Sequence, residues 1–384
     1  MELATRTFRA GEAYELVVFD RLGTEERALV AELQADPGFY GLLRPRNGSG
    51  RTLRAVDRAT ALLFLTLQAP GQLPFFVWQD GAEPARRSIT QLVLDGVLEL
   101  EDAGRFVSGS SALDLLAPRL EATHNGRISA LAHAALRYAQ QLQLEDPLAL
   151  SGALYNFGRE PVTAAWDRRT PDREHALQVL GAGPGSSLRK RLETRWHWPE
   201  SPESPAWIPW GQRNPRRVAR GPIHKLYVSP AANDLPATFG IVVDVLDRLG
   251  GPDFKVGANA AGWLRPDKLV VYFSDLEALL QAATDLTTAL AGVPPHGVPF
   301  TAEIAGDGLL SWGIDPPLEA HALPWEAQLS WRLWIVRRLA SALIAAQASP
   351  ADKVEPWQFA LERLRCEGLD VDEWTPSATL WSKG

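Results

Sequence analysis

The sequence predicts an α+β fold, and three observations carry that prediction. From residue 221 on, short strand-length runs alternate with longer stretches of helical spacing: HKLYVSP, ATFGIVVDVLDRLG, DFKVGA, KLVVYFS, DLEALLQAATDLTTALAG. Residues 121–180 are dominated by helical periodicity, clearest in ISALAHAALRYAQQLQL. Between them, 196–222 is rich in proline and tryptophan and cannot form a regular helix. The expected organisation is therefore a mostly helical unit at 1–120, a helical segment and linker at 121–220, and a second unit at 221–384.

In chain order, TEERALVAELQADP has apolar residues at helical spacing and opens with Thr24 and two acids, a capped start. DRATALLFLTLQAP reads as a second helix stopped by Pro70 and Gly71. SITQLVLDGVLELEDAGRFVSG reads as a helix followed by two strands joined at Asp102-Ala103-Gly104. Helix plus hairpin is how a winged-helix unit ends, and such a unit binds DNA or takes a peptide as an added strand; a plain helical domain with one hairpin fits as well. His124 and His133 lack acidic partners at ligand spacing and are read as structural or surface residues. GAGPGSSLRKR lacks the strand and the Gly-Lys-Ser/Thr ending of a phosphate loop and is read as a connector. In the linker, Arg213, Arg216, Arg217 and Arg220 are read as a solvated basic turn or as facing an anionic ligand. The later helices are LPWEAQLSWRLWIVRRLASALIAAQ and WQFALERLRCEGL.

The 384 residues suffice for two or three domains. A net charge of −7 argues against general nucleic-acid affinity, which leaves a DNA-binding regulator as the least favoured reading. The single cysteine, Cys366, excludes internal disulfides and cysteine zinc clusters. The N-terminus lacks a signal-peptide profile and no apolar run is long enough to cross a bilayer. The expectation is a soluble, cytoplasmic protein without a membrane partner. No His-Glu-x-x-His helix, Gly-x-Ser-x-Gly elbow or kinase motif set is present.

The positive charges point to chemistry. Of 39 basic side chains only six are lysine, and three of those, Lys225, Lys255 and Lys268, fall within 44 residues. Arginine supplies permanent charge, whereas a lysine amine gives up its proton when desolvated or crowded by cations. If Lys225, Lys255, Arg265 and Tyr272 share a cleft, they suit elimination from a phosphorylated side chain. That reaction needs a neutral amine as base, a cation where enolate charge develops, and arginines on the departing phosphate.

HKLYVSP, DFKVGAN and LRPDKLVVYF resemble the motif series of the bacterial type III effector phosphothreonine lyases and the lyase domains of lanthipeptide synthetases. SGALYNFGREPVTAAW, PFTAEI, LLSWG and SWRLWIVRRLA further resemble the Hop-type effector family, which has stand-alone relatives in gene clusters for ribosomal peptide natural products. The resemblance covers about 150–384 and implies a C-terminal lyase-like domain. It implies Lys255 as the base, Lys225 as the enolate-stabilising lysine, Arg265 on the phosphate and Tyr272 beside it. The general acid of the effectors is a histidine. Tyr227 stands at that position here, with His224 and His296 as alternative acids, unless phosphate leaves without one. A second phosphate arginine falls at Gly313, with Arg332 or Arg337 as substitutes. Lys268, following Asp267, is read as a surface ion pair. The resemblance implies a phosphorylated precursor peptide as substrate, a separate Ser/Thr kinase as partner, and neither metal nor organic cofactor. The competing reading is a pseudo-lyase that binds a phosphopeptide or the kinase without turnover.

Overall fold

The computed structural model describes residues 3–46, 53–116, 126–198, 206–213, 222–316, 323, 329–348 and 354–377. It mixes helices with antiparallel sheets, an α+β architecture. His124, Arg216, Arg217 and Arg220 lie outside the described residues.

The N-terminal region carries more strand than its sequence predicts. Tyr14–Val18, Phe39–Pro45 and Arg54–Asp57 form an antiparallel sheet. The middle strand escapes a period-2 reading because both its faces are covered: Leu43 packs with Tyr14 and Val56, while adjacent Leu42 packs with Leu22 and Val30. The expected helix from Thr24 divides into a short α-helix, Thr24–Leu29, and a 3-10 turn, Ala31–Ala35. The second expected helix, Arg58–Thr66, is capped by Asp57, whose Oδ1 accepts from the Thr60 amide at 2.7 Å. Helix Ala82–Leu94 is followed by the hairpin Leu98–Asp102 and Arg105–Val107, with Phe8–Ala10 pairing along the first of these strands. Ala103 and Gly104 both have positive φ, 49° and 81°, as a tight two-residue hairpin turn requires.

A seven-stranded antiparallel sheet organises the remainder. Its spatial order is Ala302–Ile304, Leu310–Ile314, His224–Val228, Leu269–Phe273, Phe254–Gly257, Trp207–Gln212, Trp196–His197. The last two strands come from the stretch read as a linker. Tryptophan explains the difference: Trp196 and Trp210 are fully buried and flank Phe254, so a proline-interrupted segment is held as a sheet edge by aromatic burial.

Strand alternation divides the sheet chemically. One face presents Ile208, Trp210, Phe254, Val256, Leu226, Val228, Leu269 and Val271 to the amphipathic helices Leu235–Arg248 and Leu276–Ala289, making the main core. The other carries Lys225, Tyr227, Lys255, Val270 and Tyr272. A second core lies beyond it, where helix Trp331–Ala348 packs against Pro147–Tyr155 and Pro356–Cys366. Leu94 and Leu113 enter this second core from the N-terminal region. Asp95 fastens the junction, accepting from Arg363 Nε and Nη2 at 2.8 Å each and from Arg54. Among the described residues no helix is long and apolar enough to cross a membrane.

Candidate active site

The site lies on the second sheet face and follows from register. Lys225 stands opposite Tyr272 on the neighbouring strand, and Tyr227 opposite Val270. Lys255 stands opposite Val270 from the other side. Two lysines distant in sequence thus project from one face with Tyr272 between them. The Tyr272 ring centre is 5.6 Å from Lys255 Nζ and 5.7 Å from Lys225 Nζ. Trp207 forms the adjoining wall, 4.4 Å from Lys255 Nζ and 4.9 Å from the Arg265 guanidinium carbon.

The surroundings treat the two amines differently. Lys225 Nζ donates to Asp315 at 2.7 Å from Oδ1 and 2.5 Å from Oδ2. Lys255 is set among aromatic rings. Its pKa falls from the ordinary lysine value to about 8, first because burial penalises the ammonium and next because the Lys225 charge repels it. Arg265 adds to the repulsion, and the Asp267 and Asp315 carboxylates work against it.

Arg265 is held bidentately by Asp267, Nε to Oδ1 and Nη2 to Oδ2 at 2.9 Å each. Asp267 also accepts from the Tyr155 hydroxyl at 3.1 Å and lies 3.1 Å from Arg332 Nη1. Burial acts to raise its pKa, but Arg332 and Arg265 outweigh burial and hold Asp267 well below the ordinary carboxylate range. Lys225, Arg265 and Arg332 set against Asp267 and Asp315 leave one uncompensated positive charge when Lys255 is neutral. Such a site attracts an anion.

Several expected residues stand elsewhere. Arg332 is 1% exposed. Its guanidinium donates to Tyr155 O and Pro299 O, lies over the Tyr155 ring and pairs with Asp267, so it is held as a buried strut behind Arg265 and Asp267. Arg337, five positions further on the same helix, is turned about 140° away from Arg332. At Gly313 a β-carbon would lie 2.4 Å from Trp331 Cδ1, so the indole fills the place of an arginine stem. His224 alternates with Lys225 and therefore faces the main-core side, its ring near Trp312. His296 is spent on structure: its Nδ1 accepts from Lys268 Nζ at 2.8 Å and its Nε2 donates to Gly158 O at 2.6 Å. Burial first, and then Lys268, lower its pKa. Tyr227 shares the lysine face but is 4% exposed among Val270, Val298, Trp207 and Tyr272, and burial drives its phenol well above the ordinary value.

Lys268 is corrected as well. It is fully buried, donates to Pro230 O at 2.8 Å, and is pushed by burial to about 7. The partners of Asp267 are the two arginines instead. Sequence reading passed over Asp315, Trp207 and Tyr155 as site residues. The only sequence cue was that Tyr155 and Trp207 sit in aromatic-rich stretches; for Asp315 there was none.

No protein-family model and no curated protein matches the chain. Solved structures similar to it include an effector protein from Pseudomonas syringae pv. syringae strain 61, at 14% identity over 66% of this chain and 100% of that one, TM-score 0.39. An effector protein from Pseudomonas syringae pv. tomato strain DC3000 aligns at 12% identity over 65% and 99%, TM-score 0.39. A phosphothreonine lyase effector protein from Chromobacterium violaceum aligns at 15% identity over 50% and 97%, TM-score 0.27.

Proposed function

We propose that the protein is a phosphoserine/phosphothreonine lyase acting on a peptide, with Lys255 as the base. The observation that carries the reading is the pair of unlike amines on one sheet face. Lys225 is a cation fixed to a carboxylate, while Lys255 is desolvated, lacks an ion-pair partner among the described residues, and has a pKa of about 8. Lys255 Nζ takes the α-proton of the phosphorylated residue. The released electron pair forms the Cα–Cβ double bond, the Cβ–O bond breaks, and phosphate leaves with that bond's electrons. Dehydroalanine or dehydrobutyrine remains. Lys225 stabilises charge on the carbonyl oxygen as the α-proton departs. Arg265 Nη1, which Asp267 does not engage, and Lys225 offer N–H groups to the anion. With a second pKa of ~6 the phosphorylated residue is mostly a dianion at neutral pH, so the charge that builds up on the departing phosphate oxygen has to be offset by these N–H groups or by a proton from solvent. The high phenol pKa of Tyr227 suits a hydrogen-bond donor better than a proton source.

The substrate class of this reading is a ribosomally made precursor peptide phosphorylated by a separate Ser/Thr kinase, since the chain itself carries no kinase motif set. Incubating the pure protein with synthetic phosphothreonine and phosphoserine peptides should give a mass loss of phosphoric acid and an electrophilic alkene that adds thiols. Lys255→Ala should bind the peptide without converting it, and substantial turnover by that variant would remove Lys255 as the base.

Two observations favour a second reading, a phosphopeptide- or kinase-binding subunit without turnover. Arg332 is spent on Asp267 and backbone carbonyls, and Trp331 covers Gly313, so fewer cations reach the phosphate. Peptide binding by the wild type with no mass loss, whether or not the kinase is present, would select it.

A further inference from the structure

We infer that Asp315 assigns the roles of the two lysines, fixing Lys225 as the permanent cation and leaving Lys255 as the amine free to accept a proton. The inference rests on the lyase reading for its catalytic consequence, but the charge assignment itself is a property of the resting protein.

Asp315 immediately follows strand Leu310–Ile314, and its amide donates to Ile223 O at 2.9 Å, one residue before the Lys225 strand begins. This pins the carboxylate alongside Lys225. Oδ1 accepts from Lys225 Nζ at 2.7 Å and from the Trp331 amide at 3.0 Å, while Oδ2 lies 2.5 Å from Lys225 Nζ. The Trp331 amide is the first of the 18-residue helix Trp331–Ala348, and a helix N-terminus favours a negative charge. The carboxylate is therefore held from both sides, with side chains only 22% exposed for Asp315 and 12% for Lys225. Lys255 has Trp207 and Tyr272 beside it in place of a carboxylate, with Lys225 and Arg265 as the cations and Asp267 and Asp315 as the more distant anions that act on it. Two neighbouring amines with similar surroundings would share protons between them. One carboxylate given wholly to Lys225 breaks that symmetry. Asp315 acts through Lys225 and is a positioning residue.

The Asp315→Asn variant separates charge from structure, because its amide oxygen still accepts from the Trp331 amide while the negative charge is gone. The test is competitive labelling of the full chain with trace acetic anhydride at pH 7–10, without substrate, read lysine by lysine by mass spectrometry. A neutral amine reacts and an ammonium does not. In the wild type Lys255 should be acetylated at least tenfold faster than Lys225. In D315N the two rates should converge to within about threefold. On a phosphopeptide, D315N should lose at least tenfold in phosphate release. Faster labelling of Lys225 in the wild type, or an unchanged ratio in D315N, overturns the inference. If D315N does not fold, Asp315→Ser tests the same loss of charge, with the same convergence expected and an unchanged ratio again overturning the inference. A wild type that shows the labelling contrast but releases no phosphate overturns the lyase reading and leaves the charge assignment standing.

Discussion

The most exposed consequence of the site is a pH profile. Lys255 falls from 10.5 to about 8 on folding. At pH 7 an ordinary lysine is neutral in about one molecule in 3,000, and Lys255 in about one in ten, a difference equivalent to about 3 kcal/mol. The pH dependence of kcat/KM for phosphate release from a phosphothreonine peptide should therefore rise about tenfold per pH unit up to a midpoint near 8 and then level. Substrate titration near pH ~6 is removed by fitting only above pH 6.5. Lys225→Met deletes the second-largest cause of the depression, so its residual activity should show a midpoint above 8. It should stay below 10.5, because burial, the largest cause, remains. A profile flat from pH 6.5 to 8.5, a wild-type midpoint above 10, or a midpoint unchanged or lowered in Lys225→Met would refute the electrostatic account.

Three further outcomes follow from packing and charge. Arg363→Met should destabilise the chain by about 2–3 kcal/mol in chemical denaturation, less than the ~3–5 kcal/mol of a buried pair broken outright. Arg54 still pairs with Asp95, and Arg338 with Glu367; a loss under about 0.5 kcal/mol would show the junction does not depend on Arg363. Lys268 binds fewer protons folded than unfolded between about pH 7 and 10.5, so stability should rise with pH across that window, by up to about 1.4 kcal/mol per unit for this one group. Below about 7 both states are protonated and its slope vanishes. Lys268→Met should remove that contribution, and identical pH slopes in the two proteins would exclude a neutral buried Lys268. Gly313→Ala should lose about 1–3 kcal/mol, because its β-carbon meets Trp331 at 2.4 Å in a closed site; an unchanged melting temperature would mean the indole moves freely.

The lysine cluster was legible because residue choice and strand period are local properties. Alternation in HKLYV and FKVG places Lys225 with Tyr227, and Lys255 apart from Phe254 and Val256, whatever the strands pair with. The same locality misled at Asp267-Lys268. Adjacency suggested an ion pair, whereas the turn leading into strand Leu269–Phe273 sends the two side chains to different partners. The helix bearing Arg332 was visible in the sequence, but which of its arginines is buried and what each one neutralises were not.

By itself, the sequence determined the α+β class, the strands that carry the two amines, and the residue types able to move a proton, because these depend on spacing along the chain. Only the tertiary structure decided which lysine is paired with a carboxylate and which one burial makes easier to deprotonate. That depends on Asp315, 90 residues from Lys225, and on the burial of Lys255 beside Trp207. An amine's proton affinity is set by the dielectric and charges within a few ångströms, whichever part of the chain supplies them.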